Sequence, residues 1–154
     1  MGSDYLTSPF DDLLKPVDDH LIVHNELKSS LILGNRIRIH SVKNGIPDLD
    51  SVKIALIGIP EERNSVDYIG DELNLNEIRK SFYNLYPGNW SLEISDLGNL
   101  ILGNNAEESY GRLVSLMTIL LKKNIIPVLI GGSQDLLYPI YRSYDSFQNT
   151  VNIV

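Results

Sequence analysis

The segment from Gly131 to Asp135 holds the residue types in this sequence that are best suited to chemistry. Its paired glycines are followed by Ser133, Gln134 and Asp135, which carry a hydroxyl, an amide and a carboxylate. Because an apolar run precedes the glycines, the segment is predicted to join a buried strand directly to a helix. Backbone N–H groups point outward at the start of a helix, where they can bind a ligand.

Two interpretations of this segment rest on its own residues. In the first it is a tight turn, whose glycines adopt backbone conformations closed to other residues and whose Ser133 or Asp135 caps the helix. In the second it is a nucleophile elbow, because Gly131-x-Ser133 stands in the context that a G-x-S-x-G motif requires. However, Asp135 replaces the last glycine, and all three histidines precede the serine, whereas the general base should follow it. The turn is therefore favoured.

Composition restricts the classes of protein and of site that the sequence can form. The chain of 154 residues has no cysteine, which excludes disulfides, thiolate catalysis and cysteine-ligated metal sites. Its net charge of -7 disfavours attraction to nucleic acid or to an anionic membrane surface. The N-terminal residues are acidic and no apolar run approaches the ~18 residues of a membrane span. We therefore expect a cytoplasmic protein that binds neither nucleic acid nor membrane.

Apolar runs predict the strands of an α/β sheet. Segments 52–60 and 125–130 are short and nearly continuously apolar, as in parallel strands that are covered on both faces. Segment 90–97 alternates, and it is placed nearer an edge because Glu93 and Ser95 face one way. Helical patterns separate these strands, so the sequence predicts a right-handed, doubly wound parallel sheet.

A helix is predicted after each of these strands. Asn76, Asn105 and Ser133 are the expected N-terminal caps. The first helix is predicted to stop at Pro87-Gly88, and the last runs to about Phe147. Apolar stripes are predicted on the first helix (Ile78, Phe82, Leu85 and Tyr86) and on the second (Tyr110, Leu113, Val114, Met117, Leu120 and Leu121). Ligands of such sheets bind beyond the carboxyl ends of the strands. The candidate strand-end loops are Pro60 to Asn64, Asp96 to Asn99 and Gly131 to Asp135. None of them carries a dinucleotide fingerprint or a phosphate-binding G-x-x-x-x-G-K-[ST] motif.

Two changes of character divide the chain. A run of turn formers, Asn44 to Asp48, separates an N-terminal arm (residues 1–50) from the α/β domain (residues 51–154). Within the arm, a helix after Pro16 and a half-exposed strand at residues 36–39 are predicted. At the other end, Val151 to Val154 begins a fourth apolar strand. The sequence stops inside this strand, which would leave the strand's backbone groups unpaired. We therefore expect the chain to be the N-terminal part of a longer protein.

Four short motifs, in this order, resemble the N-terminal half of the ureohydrolases, the family of arginase, agmatinase and formimidoylglutamase. The motifs are Ile57-Gly58-Ile59-Pro60, Ile78-Arg79, Asp96-Leu97-Gly98 and Ile126-Pro127-Val128-Leu129-Ile130-Gly131-Gly132. The resemblance covers about residues 52–154. Formimidoylglutamase-like proteins are the most similar, through Tyr86-Pro87-Gly88-Asn89-Trp90 and the variant Ser133-Gln134-Asp135-Leu136. The resemblance implies a three-layer parallel sheet of the arginase type, truncated here after about four strands.

The resemblance also implies a metal site, of which this chain holds only a part. Members of the family use two Mn²⁺ ions to form a bridging hydroxide that attacks an amidine or guanidine carbon. Their ligands are a His after the paired glycines, an Asp-x-His-x-Asp group after the next strand and a later Asp-x-Asp group. Here Gln134 stands at the first position and the other two groups are missing. The amide oxygen of glutamine is a weaker metal ligand than the imidazole of histidine. Asp135 cannot simply take its place, because the next residue of a helix points about 100° further around the axis.

These features together predict the N-terminal fragment of an amidine C–N hydrolase, nominally one that converts formiminoglutamate to glutamate and formamide. The fragment alone is expected to be inactive and to bind no cofactor, since manganese is expected only in a complete family member. A linear amidine is the expected substrate of that complete protein. The alternative is a non-catalytic binding or assembly module with the same fold. Copies of the chain could associate through an unpaired sheet edge, and Val151 to Val154 is predicted to be frayed or to contact another chain.

Overall fold

The protein has a mixed α/β fold, in which helices flank a central sheet with five strands in the described part of the chain. The computed structural model describes residues 8–66, 73–89 and 91–147. The strands are β1 (Leu14–Lys15), β2 (Arg38–Ile39), β3 (Ile54–Gly58), β4 (Ile94–Leu100) and β5 (Ile126–Ile130). The α-helices are α1 (Asp19–Glu26), α2 (Leu75–Tyr83), α3 (Ala106–Lys122) and α4 (Leu137–Arg142). Within these ranges, no helix has the length and apolar character needed to cross a membrane. The predicted strand Val151 to Val154 lies outside the described residues.

Strand β4 lies inside the sheet, whose order is β1-β4-β3-β5 with β2 also paired to β4. Strands β2 and β3 run parallel to β4, whereas β1 is antiparallel to it. The prediction that this strand is near an edge is therefore wrong. Ser95 is fully buried, and its hydroxyl donates to the carbonyl of Arg38 at 3.0 Å. The error arose because β1 and β2 come from the arm, whose pairing partner cannot be read from the alternation of residues in β4 itself.

The arm packs against the rest of the protein rather than standing apart from it. Its predicted helix and strand are confirmed as α1 and β2. Asp18 caps α1, because its side chain accepts a hydrogen bond from the N–H of His20 at 2.9 Å. Val17 and Leu21 pack against Tyr83 of α2 in a small apolar cluster. The arm thus extends the sheet beyond β4 and covers part of α2.

Different helices cover the two faces of β3. Ala55 and Ile57 are fully buried in a core that also contains Leu113, Leu116 and Leu120 of α3. On the opposite face, a Cβ atom placed on Gly58 would lie 2.6 Å from a methyl carbon of Leu75. Helix α2 therefore packs directly on the backbone of the strand. This arrangement of helix, sheet and helix confirms the predicted fold class.

Strand β4 continues through the segment that was predicted to be a strand-end loop. The register of β4 against β3 shifts by one residue between Asp96 and Asn99, as in a β-bulge. Gly98 occupies the bulge with a φ of +85°, and a Cβ atom there would lie 2.0 Å from the carbonyl oxygen of Lys15. The glycine therefore marks a bulge under the arm and not the end of the strand.

Helix α2 differs from its prediction in its start, its end and its buried face. Asn74 is the cap, and its side chain accepts a hydrogen bond from the N–H of Asn76, the predicted cap, at 3.0 Å. The helix ends at Tyr83. Its buried face includes the charged Arg79, whereas Ile78 of the predicted apolar stripe is 44% exposed. A prediction based on apolar spacing selected the wrong face because this helix buries a charge.

Local signals were more reliable for α3 than for the helix after β5. The side chain of Asn105 accepts a hydrogen bond from the N–H of Glu108 at 2.8 Å, which confirms the predicted cap. The single helix predicted after Ser133 is instead a 3-10 turn (Gln134–Leu136), α4 and a second 3-10 turn. Pro139 has no N–H, so an α-helix could not continue through it from Asp135. Ser133 makes no capping hydrogen bond.

Strand β5 lies at the edge of the described part of the sheet, where it pairs with β3. All five of its residues are apolar, but Ile126 is 62% exposed and Val128 is 40% exposed. The prediction of a fully buried strand is therefore wrong for this structure. An apolar composition indicates that a strand can be covered on both faces, but it does not show which helix or strand would cover it.

Candidate functional site

Two of the three predicted strand-end loops form one site at the carboxyl ends of β3 and β5. The N–H of Ser133 donates to the carbonyl of Glu61 at 3.0 Å, and the Ser133 hydroxyl lies 3.3 Å from the same oxygen. A pocket of about 520 Å³ lies between the loops. Its lining includes Glu62, Asn64, Gly132, Ser133, Gln134 and Asp135. The third predicted loop, Asp96 to Asn99, belongs to β4 and to a different cluster.

The paired glycines let the chain leave β5 sharply at this pocket. Gly131 and Gly132 have φ angles of 87° and 82°, which other residues rarely adopt. A Cβ atom on Gly131 would lie 2.6 Å from Leu75, and one on Gly132 would lie 2.1 Å from Leu136. Both positions therefore favour glycine because of their backbone conformation, and a side chain there would also displace a leucine methyl group. The tight-turn interpretation is confirmed for the glycines, although not for a cap at Ser133.

Three uncharged groups hold the carboxylate of Asp135. One oxygen accepts a hydrogen bond from the hydroxyl of Ser133, and the other accepts hydrogen bonds from the hydroxyl of Tyr110 and from the amide of Asn64, the latter at 3.3 Å. The Asn64 amide also donates to the Tyr110 hydroxyl at 2.7 Å. Burial raises the pKa of Asp135, but these hydrogen bonds outweigh it and lower the pKa below its ordinary value. Asp135 thus joins both loops to α3 as an ionised group.

A buried ion pair anchors the first loop. The carboxylate of Glu61 is fully buried and pairs with Arg63, whose Nε donates to it at 2.9 Å. Burial raises the pKa of Glu61, but the hydrogen bonds from Arg63 and Ser109 and the charge of Arg63 lower it overall. The guanidinium also donates to the carbonyls of Gly103 and Asn105 at 3.2 Å and 3.1 Å. The pair therefore fixes the loop to the start of α3.

The third predicted loop contributes to a second cluster, which is completely buried. Nε and Nη2 of Arg79 donate to the two carboxylate oxygens of Asp96 at 2.8 Å and 3.1 Å. The hydroxyl of Tyr83 and the N–H of Gly98 donate to the same carboxylate at 2.7 Å and 2.9 Å. Burial lowers the pKa of Arg79, but Asp96 reverses this and raises it, while burial and Asp96 both raise the pKa of Tyr83. This cluster joins α2 to the β4 bulge and faces no pocket of the site.

Comparisons with known proteins bear on this architecture. No protein-family model matches the sequence, and no curated protein matches it. Solved structures do match, among them formimidoylglutamase from Bacillus subtilis, with a TM-score of 0.63 and 18% identity. A formiminoglutamase from Trypanosoma cruzi with Mn²⁺ has a TM-score of 0.56 and 21% identity, and an arginase superfamily protein from the same organism has 0.52 and 23%. The chain has a ureohydrolase-like fold.

These matches cover most of this chain but less than half of each matched structure. They cover 80%, 76% and 67% of this chain, in the order given. The chain, in turn, spans 41% of the length of each of the three matched structures. At sequence identities of 18–23%, the likeness establishes the fold of the chain and not its activity.

The described residues do not supply by themselves the two-manganese centre that the resemblance to ureohydrolases implies. Gln134 is exposed at the pocket, beside Asp135, whose two oxygens already accept hydrogen bonds. In residues 8–66, 73–89 and 91–147, no group of three or more His, Cys, Asp or Glu side chains could hold a metal ion. Manganese needs several oxygen or imidazole ligands that converge on one point. A metal contact at Gln134 therefore stays a prediction.

The sequence assigned no role in the site to Tyr110 or to Arg63, although Arg63 lies inside the predicted loop Pro60 to Asn64. Arg63 stands two residues after Glu61, and opposite charges at this spacing in a strand-end loop are the signal that could have indicated the pair. Tyr110 was assigned to the apolar stripe of α3, where its ring lies, but its hydroxyl reaches Asp135. A tyrosine on such a stripe gives no local signal of its hydroxyl partner.

Proposed function

We propose that the chain carries part of the substrate site of an amidine C–N hydrolase, nominally one acting on formiminoglutamate, and is catalytically inactive by itself. The observation that carries this proposal is the pocket at the ends of β3 and β5 in a ureohydrolase-like fold, with Gln134 and a hydrogen-bonded Asp135 on its wall. Two of the matched structures are a formimidoylglutamase and a formiminoglutamase, which supports the choice of reaction.

The charges on the pocket wall suit an amidine ligand, although they do not activate water. Glu62 and Asp135 bring carboxylates to the lining, where they attract the positive charge of an amidinium group. Hydrolysis requires a nucleophilic hydroxide, which metal ions in a suitable ligand set would supply by lowering the pKa of bound water. The lowered pKa of Asp135, with both oxygens occupied, makes it a poor general base. Binding without turnover is therefore the proposed behaviour.

The proposal is tested by metal analysis and by a formamide-release assay on the purified chain. After equilibration with Mn²⁺ we expect no stoichiometric metal and no release of formamide from formiminoglutamate above the rate in buffer. The variant Gln134→His adds an imidazole at the pocket and is expected to gain no more Mn²⁺ affinity than Asn44→His, which adds one on an exposed turn. Stoichiometric Mn²⁺ or formamide release by the unmodified chain would defeat the claim of inactivity. Formamidinium is the binding probe, and its failure to bind at all would defeat the amidine site.

A second candidate function, a non-catalytic assembly module, is supported by the exposed edge strand β5. The N–H of Ile126 donates to the carbonyl of Lys53 at 2.8 Å, and the carbonyl of Ile130 accepts from Ile59 at 2.9 Å. Because successive residues of a strand direct their N–H and carbonyl groups to opposite sides, the N–H and the carbonyl of Leu129 face the open side. Edge strands are usually protected by charges or by proline; β5 carries no charge, and Pro127 removes one N–H from its open side, which leaves Leu129 available for pairing. A second copy of the chain is the proposed partner.

Sedimentation across a range of concentrations tests the assembly module. The chain is expected to form dimers, and Val128→Lys on the edge strand is expected to shift the population to monomer. Val42→Lys is the matched control, because Val42 is 72% exposed on a turn outside the sheet. A wild-type chain that remains monomeric at every concentration would exclude this module. An equal effect of the two lysines would exclude β5 as the interface.

A further inference from the structure

A groove between α3 and α4 lies next to the strand-end pocket, and Tyr110 on its lining contacts Asp135 of that pocket. Its volume is about 470 Å³, within the range of small-molecule sites. The ring of Tyr110 lines the groove, while its hydroxyl donates to Asp135 at the pocket. Tyr138, which is 65% exposed, lines the groove from α4. The groove is therefore a concave surface with aromatic side chains from both helices.

Gly111 lies on the lining of this groove without a steric reason to be glycine. It stands inside the 17-residue helix α3, where glycine is less favourable than alanine by about 1 kcal/mol. A Cβ atom placed there would meet no atom within 4 Å, and its φ is not positive. Neither packing nor backbone conformation therefore requires this glycine. Its consequence for the structure is to leave space in the groove beside Tyr110.

The rim of the groove carries an excess of negative charge. Arg142 and Asp145 form an ion pair at 3.0 Å, so their charges offset each other. Glu107 also lies on the lining, and it belongs to none of the ion pairs in the described parts of the chain. A positively charged ligand would complement Glu107, and the faces of tyrosine rings attract cations as well.

We propose that the α3–α4 groove binds a small aromatic molecule with a single positive charge, of the arylalkylammonium class. The aromatic ring of the ligand packs between Tyr110 and Tyr138, in the space that Gly111 leaves open, and its ammonium group lies near Glu107. This site is separate from the proposed amidine site and does not depend on it.

Titration calorimetry with three ligands that share an indole ring tests the charge requirement. The probes are tryptamine, which is a cation, 3-methylindole, which is neutral, and indole-3-propionate, which is an anion. We expect saturable binding of tryptamine, with an affinity at least about tenfold above that of the anion. Glu107→Gln should weaken tryptamine about threefold and leave 3-methylindole unchanged. Absence of saturable tryptamine binding, or equal binding of the anion, would overturn the proposal.

A matched pair of leucine substitutions tests the location. Gly111→Leu fills the groove and is expected to weaken tryptamine at least about tenfold, while the melting temperature stays equal or rises because leucine favours helix. Ser115→Leu adds the same side chain one turn further along α3, at an exposed position outside the groove lining. It should leave tryptamine affinity unchanged. If Gly111→Leu retains full affinity, or if both variants lose it equally, the ligand does not occupy this groove.

Discussion

Replacing Arg79 by methionine is expected to lower the free energy of unfolding by about 3–5 kcal/mol. The substitution leaves the carboxylate of Asp96 fully buried without its counter-ion, and the remaining donors, from Tyr83 and Gly98, are uncharged. Such a loss is a large fraction of the stability of an ordinary domain. Urea denaturation followed by circular dichroism measures it directly.

Two further variants separate the ion pair from a general effect of substitution in α2. Lys80→Met removes the neighbouring charge, which is 48% exposed and pairs with an exposed Glu77, so we expect a change within about 0.5 kcal/mol. The double variant Arg79→Met with Asp96→Leu removes both buried charges and should recover part of the loss. If Arg79→Met is as stable as Lys80→Met, the buried pair does not hold α2 on the sheet.

The buried cluster of Arg79, Asp96 and Tyr83 shows why the sequence could predict some parts of the fold and not others. Strand β3 and helix α3 follow from local signals, because their apolar runs and the Asn105 cap lie in the elements themselves. The buried face of α2 could not be predicted in this way, since Arg79 is buried by a partner 17 positions away. The place of β4 in the sheet depended on strands from the arm. The spacing of apolar residues locates helices and strands along the chain. Whether a charged residue is buried depends on a counter-ion from another segment, as Asp96 is for Arg79.

The candidate site shows the same division between local and distant signals. The paired glycines after β5 predicted a sharp turn and a strand-end pocket, because conformation and position are both local properties. The hydrogen bonds of Asp135 involve Asn64 and Tyr110, which are 71 and 25 positions away. Nothing in the five residues of the turn indicates those partners. The resemblance to a ureohydrolase predicted the fold of this region, but the environment of Asp135 came only from the structure.

The ion pair of Glu61 and Arg63 predicts a change in the pH dependence of stability. In the folded protein the pKa of Glu61 is below its ordinary value of 4.5. The stabilisation from this carboxylate is therefore fully present above pH 4.5 and is lost as the pH falls through the folded-state pKa. Replacing Arg63 by methionine removes the main cause of the lowered pKa. Burial, which raises the pKa, then dominates, so the buried charge should destabilise the fold progressively as the pH rises.

We therefore expect Arg63→Met to lose about 3 kcal/mol of unfolding free energy at pH 7 and distinctly less at pH 4, where Glu61 can be protonated. Urea denaturation at intervals between these pH values measures the difference in unfolding free energy between the variant and wild type. Asp135 also has a lowered pKa, but it titrates in both proteins, so its contribution largely cancels in this difference. Arg36→Met, at an exposed position, is the control and should differ from wild type by a constant small amount. A further substitution, Glu61→Gln in the Arg63→Met background, should abolish the pH dependence of the loss, because a neutral amide cannot titrate. If the Arg63→Met curve runs parallel to that of wild type, the charge of Glu61 is not what Arg63 stabilises.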